Sequence, residues 1–197
     1  MKLPDGHHEV PAGKLAMVVT SLAMTALPSC RPDPVPAPWR LERIVVPEVD
    51  SYRALFRRVG QDWLWFSRLR MEDAALLAIL RDPDVAVYRL LAGASEAGLL
   101  ELDFREAGEC ELSFFGLVPE LIGGGAGRWL MNRALELAWA RPIRRFWVHT
   151  CTLDHPKALD FYIRSGFEPI GRQVEIADDP RVAGFLPPEA GRQIPRL

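Results

Sequence analysis

The sequence predicts a mixed α/β (α+β) domain built on one central, mostly antiparallel sheet with helices on its flanks. Three apolar runs, at residues 85–92, 98–104 and 109–118, follow one another across short glycine-containing turns, as in an antiparallel meander. A glycine-rich loop then joins the third run to a helix, and a further apolar run at 145–150 follows. That strand, helix and strand form a crossover unit, so its two strands are parallel and the connection right-handed.

The N-terminal dozen residues read as a mobile segment. Residues 15–24 read as a first strand, and the proline-rich stretch from Pro28 to Pro38 as its connection to the first helix. Neither the leading segment nor this connection carries a pattern that points to chemistry. Asp50 or Ser51 caps a helix running to Val59 with Gly60 behind it, and residues 71–81 form another, closed by Pro83. After the meander, Trp129, Leu130, Ala134, Leu137 and Ala138 recur at helical spacing until Pro142. Asp154 or His155 opens a last helix with Pro156 in its first turn, residues 167–176 return as strand, and the chain ends in a Pro-rich tail that wraps loosely. The division is thus a mobile segment at 1–12, one domain at 13–176 and a Pro-rich tail at 177–197.

With 197 residues, 49% hydrophobic and 25% charged, the chain has enough apolar side chain for one full core. A net charge of −2 without a Lys/Arg run gives a polyanion no electrostatic footing, so nucleic acid is not expected as a partner. Cys30, Cys110 and Cys151 are odd in number and widely spaced, which indicates neither a disulfide framework nor a zinc site and favours a reducing cytoplasm. Lys14, the apolar stretch behind it and Pro28-Ser29-Cys30 imitate a lipoprotein signal. Asp5 and Glu9 ahead of it, the polar Thr20, Ser21 and Thr25 within it and Pro28 near the cut favour a sheet strand instead. No segment approaches the roughly 18 continuous apolar residues that span a bilayer, so no membrane is expected.

The segment LVPELIGGGAGRWL, residues 117–130, carries the chemistry. Gly123, Gly124, Gly125, Ala126 and Gly127 place no obstructing side chain where a helix begins. The first amides of a helix lack partners within it, and the helix dipole adds partial positive charge there, so a phosphate fits; Arg128 adds a full charge. A P-loop requires Lys-Ser or Lys-Thr after its last glycine, where this chain has Arg128-Trp129. A dinucleotide fingerprint requires a third glycine where Arg128 or Leu130 stands.

The loop resembles the coenzyme A loop of the GNAT N-acyltransferase superfamily: Arg or Gln, two residues, Gly, one residue, then Gly or Ala, with Gly125 and Gly127 as its anchors. The resemblance continues in Leu117-Val118-Pro119 before the loop and in Ala158, Tyr162, Gly166 and Phe167 at the spacing of the superfamily's later helix. Trp63-Leu64-Trp65, Phe115 to Pro119 and His149 to Pro156 are similar to a bacterial GNAT subgroup whose members are mostly uncharacterised, a likeness that adds no substrate. The chain departs from the pattern at Ile122, where Arg or Gln is usual, and at His155, where many relatives carry Asn.

The resemblance implies a GNAT fold in which the parallel strands splay apart and acetyl-CoA enters the gap as co-substrate, with no metal. Its pantetheine arm pairs with the backbone of Phe115 to Val118, and its diphosphate sits on the loop from Gly123 through Arg128. His155 offers a polar nitrogen. Tyr162 is the candidate acid for the departing thiolate, since a phenol near pKa 10 is close to a thiol near 8.5. Glu111, Glu101 and His149 are candidate bases, and the backbone amide near Leu117 or Val118 is the candidate oxyanion donor. Trp63 and Trp65 line a pocket for the acceptor, a primary amine of a small molecule or peptide. The alternative is a non-catalytic acyl-CoA-binding or regulatory module. The oligomeric state is open, a homodimer being one option.

Overall fold

The apolar runs of the sequence pair into a single seven-stranded sheet in the computed structural model, which describes residues 4–196. Residues 1–3, part of the segment expected to be mobile, and Leu197 lie outside the described residues. The elements are β1 (Lys14–Met24), β2 (Trp39–Arg43), α1 (Val49–Gly60), α2 (Asp73–Leu80), β3 (Val85–Ala92), β4 (Ser95–Asp103), β5 (Glu109–Leu117), α3 (Ala126–Trp139), β6 (Arg145–Cys151), α4 (Ala158–Arg164) and β7 (Glu168–Asp178). Single 3-10 turns lie at Gln61–Trp63 and Pro119–Leu121. The strand order is β2-β3-β4-β5-β6-β1-β7, and every neighbouring pair is antiparallel except β5 and β6. The fold class predicted from the sequence is the one observed.

Helix α1 buries Tyr52, Leu55, Phe56 and Val59, the i, i+3, i+4, i+7 stripe of an amphipathic helix. Helix α3 buries Ala126, Trp129, Leu130, Ala134, Leu135 and Ala138. Alternate residues of a strand face opposite sides of its sheet, and β5 shows which helices lie where. Phe114 meets Phe56 and Trp65 on the α1 side, with ring centroids 4.9 and 5.3 Å away, whereas Phe115 stacks on Phe161 of α4 at 5.6 Å. Gly116 also faces α1, where a Cβ would stand 2.5 Å from Val59 Cγ1, so only glycine lets the helix approach this closely.

The parallel pairing of β5 with β6 runs through Glu109↔Arg145, Cys110↔Phe146 and Glu111↔Trp147 and ends there. Ser113 is the extra residue of a bulge, because Glu101 pairs with Phe114 while Leu102 pairs with Leu112. A bulge bends its strand, so β5 turns away from β6 beyond this point and opens a gap between them.

Three features differ from the sequence expectations and one goes beyond them. Helix α1 begins at Val49 behind Glu48, so Asp50 and Ser51 lie inside its first turn and do not cap it. A short strand, β2, occupies the end of the supposed connection and pairs with β3. The first strand, β1, is an interior strand, bonded to β6 from Val19↔Cys151 to Met24↔Phe146 and to β7 from Lys14↔Asp178 to Ala23↔Glu168. The tail is pinned rather than loose. Arg181 and Asp179 form a buried ion pair at 2.7 Å, Arg181 Nη1 donates to the carbonyls of Ala190 and Ile194, and Leu186 and Ala190 are buried. Burial pushes the Asp179 carboxyl up, but the Arg181 side chain and backbone amide more than offset this and hold it below the usual carboxylate range.

Candidate active site

A cleft of about 940 Å3 occupies the gap between β5 and β6 and continues past the glycine loop. Gly123, Gly124, Gly125, Gly127 and Arg128 line it. The first helical bond of α3 that reaches back into the loop runs from the Trp129 amide to the Gly125 carbonyl, at 3.1 Å. Among the described residues, the six preceding amides, Gly123 to Arg128, have no hydrogen-bond acceptor. Gly123 and Gly125 have φ of +91° and +90°, a left-handed backbone that L side chains rarely adopt. The sequence thus folds into a row of free donors at the positive end of a helix dipole. Ala126 is fully buried beneath the loop and does not line the cleft.

The edge of β5 supplies further free backbone. The Val118 amide donates to Ala97 O at 3.0 Å, so it is not available as an oxyanion donor. Antiparallel pairing alternates the direction of successive backbone groups, which turns those of Phe115 and Leu117 the other way, into the gap. Of the two amides considered from the sequence, the Leu117 amide is thus the one left unbonded by the sheet.

Tyr162 lines the cleft among Phe115, Phe161 and Phe167, and is 8% exposed. Burial, then the Asp154 charge, pushes its phenol well above the ordinary value, so it holds its proton throughout the neutral range. His149 also lines the cleft, and its Nδ1 lies 3.5 Å from Glu111 Oε1. The Glu111 carboxylate raises the imidazole pKa above 6.5 against the opposing effect of burial. Glu111 sits behind His149 rather than on the cleft wall.

Glu101 is elsewhere. It is fully buried, accepts a hydrogen bond from Tyr52 Oη at 2.6 Å, pairs with Arg68 and does not line the cleft. Burial and the neighbouring carboxylate raise the Tyr52 pKa well above its usual value, so this phenol stays a donor. Glu101 is thereby committed to bonds inside the fold. Its setting within Leu99, Leu100 and Leu102 was the available signal, since a lone carboxylate in a continuously apolar strand is buried and must be paired.

On the α1 side, Trp63, Trp65 and Phe66 wall the cleft. Trp65 Nε1 donates to Asp154 Oδ1 at 3.2 Å, while Asp154 Oδ2 accepts from Thr150 Oγ1 at 2.7 Å and the Cys151 amide at 2.9 Å. Asp154 is thus not the cap of α4 but the tie between the aromatic loop and the end of β6. His155 lines the cleft, its ring meeting Trp63 edge-on at 5.0 Å and its Nδ1 accepting from the Lys157 amide. Met17 and Val19 of β1, Cys151 of β6 and Glu175 of β7 complete this end, and sequence reading missed all four because it could not place β1 between β6 and β7. It also missed Arg31 and Pro34, which line the cleft beside the glycines. The cleft carries charges of both signs: Arg31, Arg128, Lys157 and Arg164 line it together with Asp154, tied to Trp65, and Glu175 of β7, and the Glu111–His149 pair stands beside it. Burial and Asp154 push the Cys151 thiol up to about 11, so it is protonated near neutrality.

Among the described residues, no three His, Cys, Asp or Glu side chains gather to hold a metal ion, and no helix is long and apolar enough to cross a membrane. All three cysteines are free thiols.

Comparison with known proteins gives a consistent family. No curated protein matches the chain. Among solved structures it is similar to a GCN5-related N-acetyltransferase from Sphaerobacter thermophilus, with TM-score 0.60 and 16% identity over 83% of this chain and 52% of that one. It is also similar to a functionally unknown conserved protein from Staphylococcus epidermidis, with TM-score 0.56 and 13% identity over 85% and 63%. An aminoglycoside acetyltransferase from an uncultured soil metagenomic sample, in complex with trehalose, gives TM-score 0.55 and 15% identity over 68% and 90%. The chain thus spans less than two thirds of the length of the first two, and at these identities the likeness is one of fold. The family model described as the acetyltransferase (GNAT) family matches residues 51–167, more than half of the chain. The chain belongs to the GNAT family of acetyltransferases.

Proposed function

We propose that the protein transfers an acetyl group from acetyl-CoA to a primary amine by direct attack within a ternary complex. The row of six unpartnered amides from Gly123 to Arg128, on a loop that borders a cleft of coenzyme dimensions, is the observation that carries this reading. The diphosphate lies on those amides, and the pantetheine arm bonds to the gap-facing backbone of Phe115 and Leu117. His149, with Nδ1 toward Glu111, uses Nε2 to take a proton from the acceptor nitrogen. The nitrogen attacks the thioester carbonyl, the Leu117 amide donates to the resulting oxyanion, and the carbon–sulfur bond breaks. Tyr162 gives its proton to the leaving thiolate and regains one through solvent from His149. The balance is amine plus acyl thioester to amide plus free thiol.

The protonated Cys151 thiol is a poor nucleophile, which favours direct transfer over an acyl-cysteine relay. The carboxylates of the acceptor end, set beside Trp63, Trp65 and Phe66, favour a small-molecule or peptide amine that arrives as an ammonium on an apolar body. Three free thiols suit a cytoplasmic setting. Saturating acetyl-CoA should raise the melting midpoint, because a ligand bound by the folded state stabilises it. No rise would count against the reading. A free-thiol assay over a panel of amines separates enzyme from acyl-CoA sensor: release with any amine supports catalysis, and binding without release across the panel supports the non-catalytic module.

A further inference from the structure

The glycine loop has an apolar residue, Ile122, three positions before Gly125, and no polar side chain of its own reaches back over it from there. The segment between β1 and β2 fills this role from outside. Its backbone is clamped onto α3, where buried Asn132 donates through Nδ2 to Arg31 O at 2.8 Å and to Asp33 Oδ1 at 2.6 Å. Arg133 holds the other Asp33 oxygen at 3.2 Å. Trp39 packs on Trp129 at 6.1 Å, and a Cβ on Gly125 would stand 3.2 Å from Pro34. At the other end, a Cβ on Gly166 would stand 2.7 Å from Pro28. The segment is therefore fixed against both helices that border the loop.

This clamp presents Arg31 to the cleft. The Asp33 carboxylate is consumed by Asn132 and Arg133, so it does not neutralise Arg31, and among the described residues the Arg31 guanidinium has no ion pair or hydrogen-bond partner. Arg31 and Arg164 also line a second cavity of about 150 Å3, bordered by Ser29, Asn132 and Ser165, so these two side chains belong to the walls of both. Two cations common to both walls, with no carboxylate paired to either among the described residues, favour a phosphate there.

We infer that Arg31 is a coenzyme-phosphate ligand, and that the proline-rich segment is a wall of the coenzyme site held in place by Asn132. This rests on the acetyl-CoA reading above. The phosphate is either the diphosphate or the ribose 3′-phosphate of the coenzyme, and dephospho-coenzyme A, which lacks the latter, tells them apart.

The test is calorimetric titration of the full chain with coenzyme A and with dephospho-coenzyme A, for the wild type, Arg31→Gln, Arg31→Lys and Arg164→Gln. Arg31→Gln should weaken coenzyme A binding about tenfold, as expected for loss of a charge-assisted contact, with Arg31→Lys in between and the melting midpoint of the free protein unchanged. A loss confined to coenzyme A assigns Arg31 to the 3′-phosphate, and an equal loss with both ligands assigns it to the diphosphate. Arg164→Gln should weaken the same ligand. Wild-type affinity for both ligands in Arg31→Gln overturns the inference and leaves the proposed function standing. An equal loss in Arg31→Lys, together with a lowered melting midpoint, also overturns it, by making the residue structural. Failure of the wild type to bind either ligand overturns the coenzyme reading itself.

Discussion

The proton on His149 sets the pH behaviour of the site. Its raised pKa means that the free base exists only above an inflection higher than 6.5, so kcat/KM should rise with pH through that raised value. Glu111→Gln removes the largest cause of the raise, and the inflection should move to lower pH as the plateau rate falls. An unmoved inflection would detach Glu111 from the mechanism. Linkage to folding has the same sign: the pair stabilises the folded state below the unfolded histidine pKa of about 6.5 and ceases to do so as pH climbs through the raised one. Tyr162 should contribute no titration of its own below pH 10, since its phenol is held protonated. Tyr162→Phe should lower kcat about a hundredfold while leaving coenzyme affinity within a factor of two, the range for loss of a general acid. Steady-state kinetics beside a binding titration checks both halves, and an unchanged kcat removes Tyr162.

Strand β4 and helix α1 are joined by one buried polar cluster, Tyr52, Arg68 and Glu101. Arg68→Met would leave the Glu101 carboxylate buried without its cation and should cost about 3–5 kcal/mol in urea unfolding. A second change, Glu101→Gln in the same protein, should recover much of that loss, and failure to recover would mean that Arg68 acts by packing alone. At this scale the sequence was legible wherever a local pattern decides the outcome. The periodicity of α1 and α3, the meander β3 to β5 and the glycine loop all follow from spacing along the chain, and each is where the sequence put it. Strand β2 was not legible because its five residues follow a run of prolines and match no length of alternation that separates strand from coil. Glu101 and Glu111 looked equivalent as strand carboxylates. The bulge at Ser113 and the ladder with Trp147 separate them, and neither is encoded within a single strand.

For the molecule as a whole, the least legible feature is the position of β1. Its alternation, with Leu15, Met17 and Val19 inward, reveals a strand but not its neighbours, because pairing between the chain's first strand and its last is a contact of high sequence separation. The consequence is large. Removing residues 1–24 would leave β6 and β7 without the strand between them, so the truncated chain should show no cooperative unfolding transition by circular dichroism; a native-like transition would contradict the topology. The same arrangement brings Met17, Val19 and Glu175 to one end of the cleft and Arg31 to the other, so residues near the N-terminus border both the proposed coenzyme and acceptor sites. Coenzyme binding as proposed depends on the loop amides receiving the diphosphate. Amide chemical shifts of the labelled protein, followed as coenzyme A is added, observe those donors directly. Gly123, Gly124, Gly125, Ala126, Gly127 and Arg128 should show the largest downfield displacements. Saturation of the protein with those six resonances unmoved would contradict this binding.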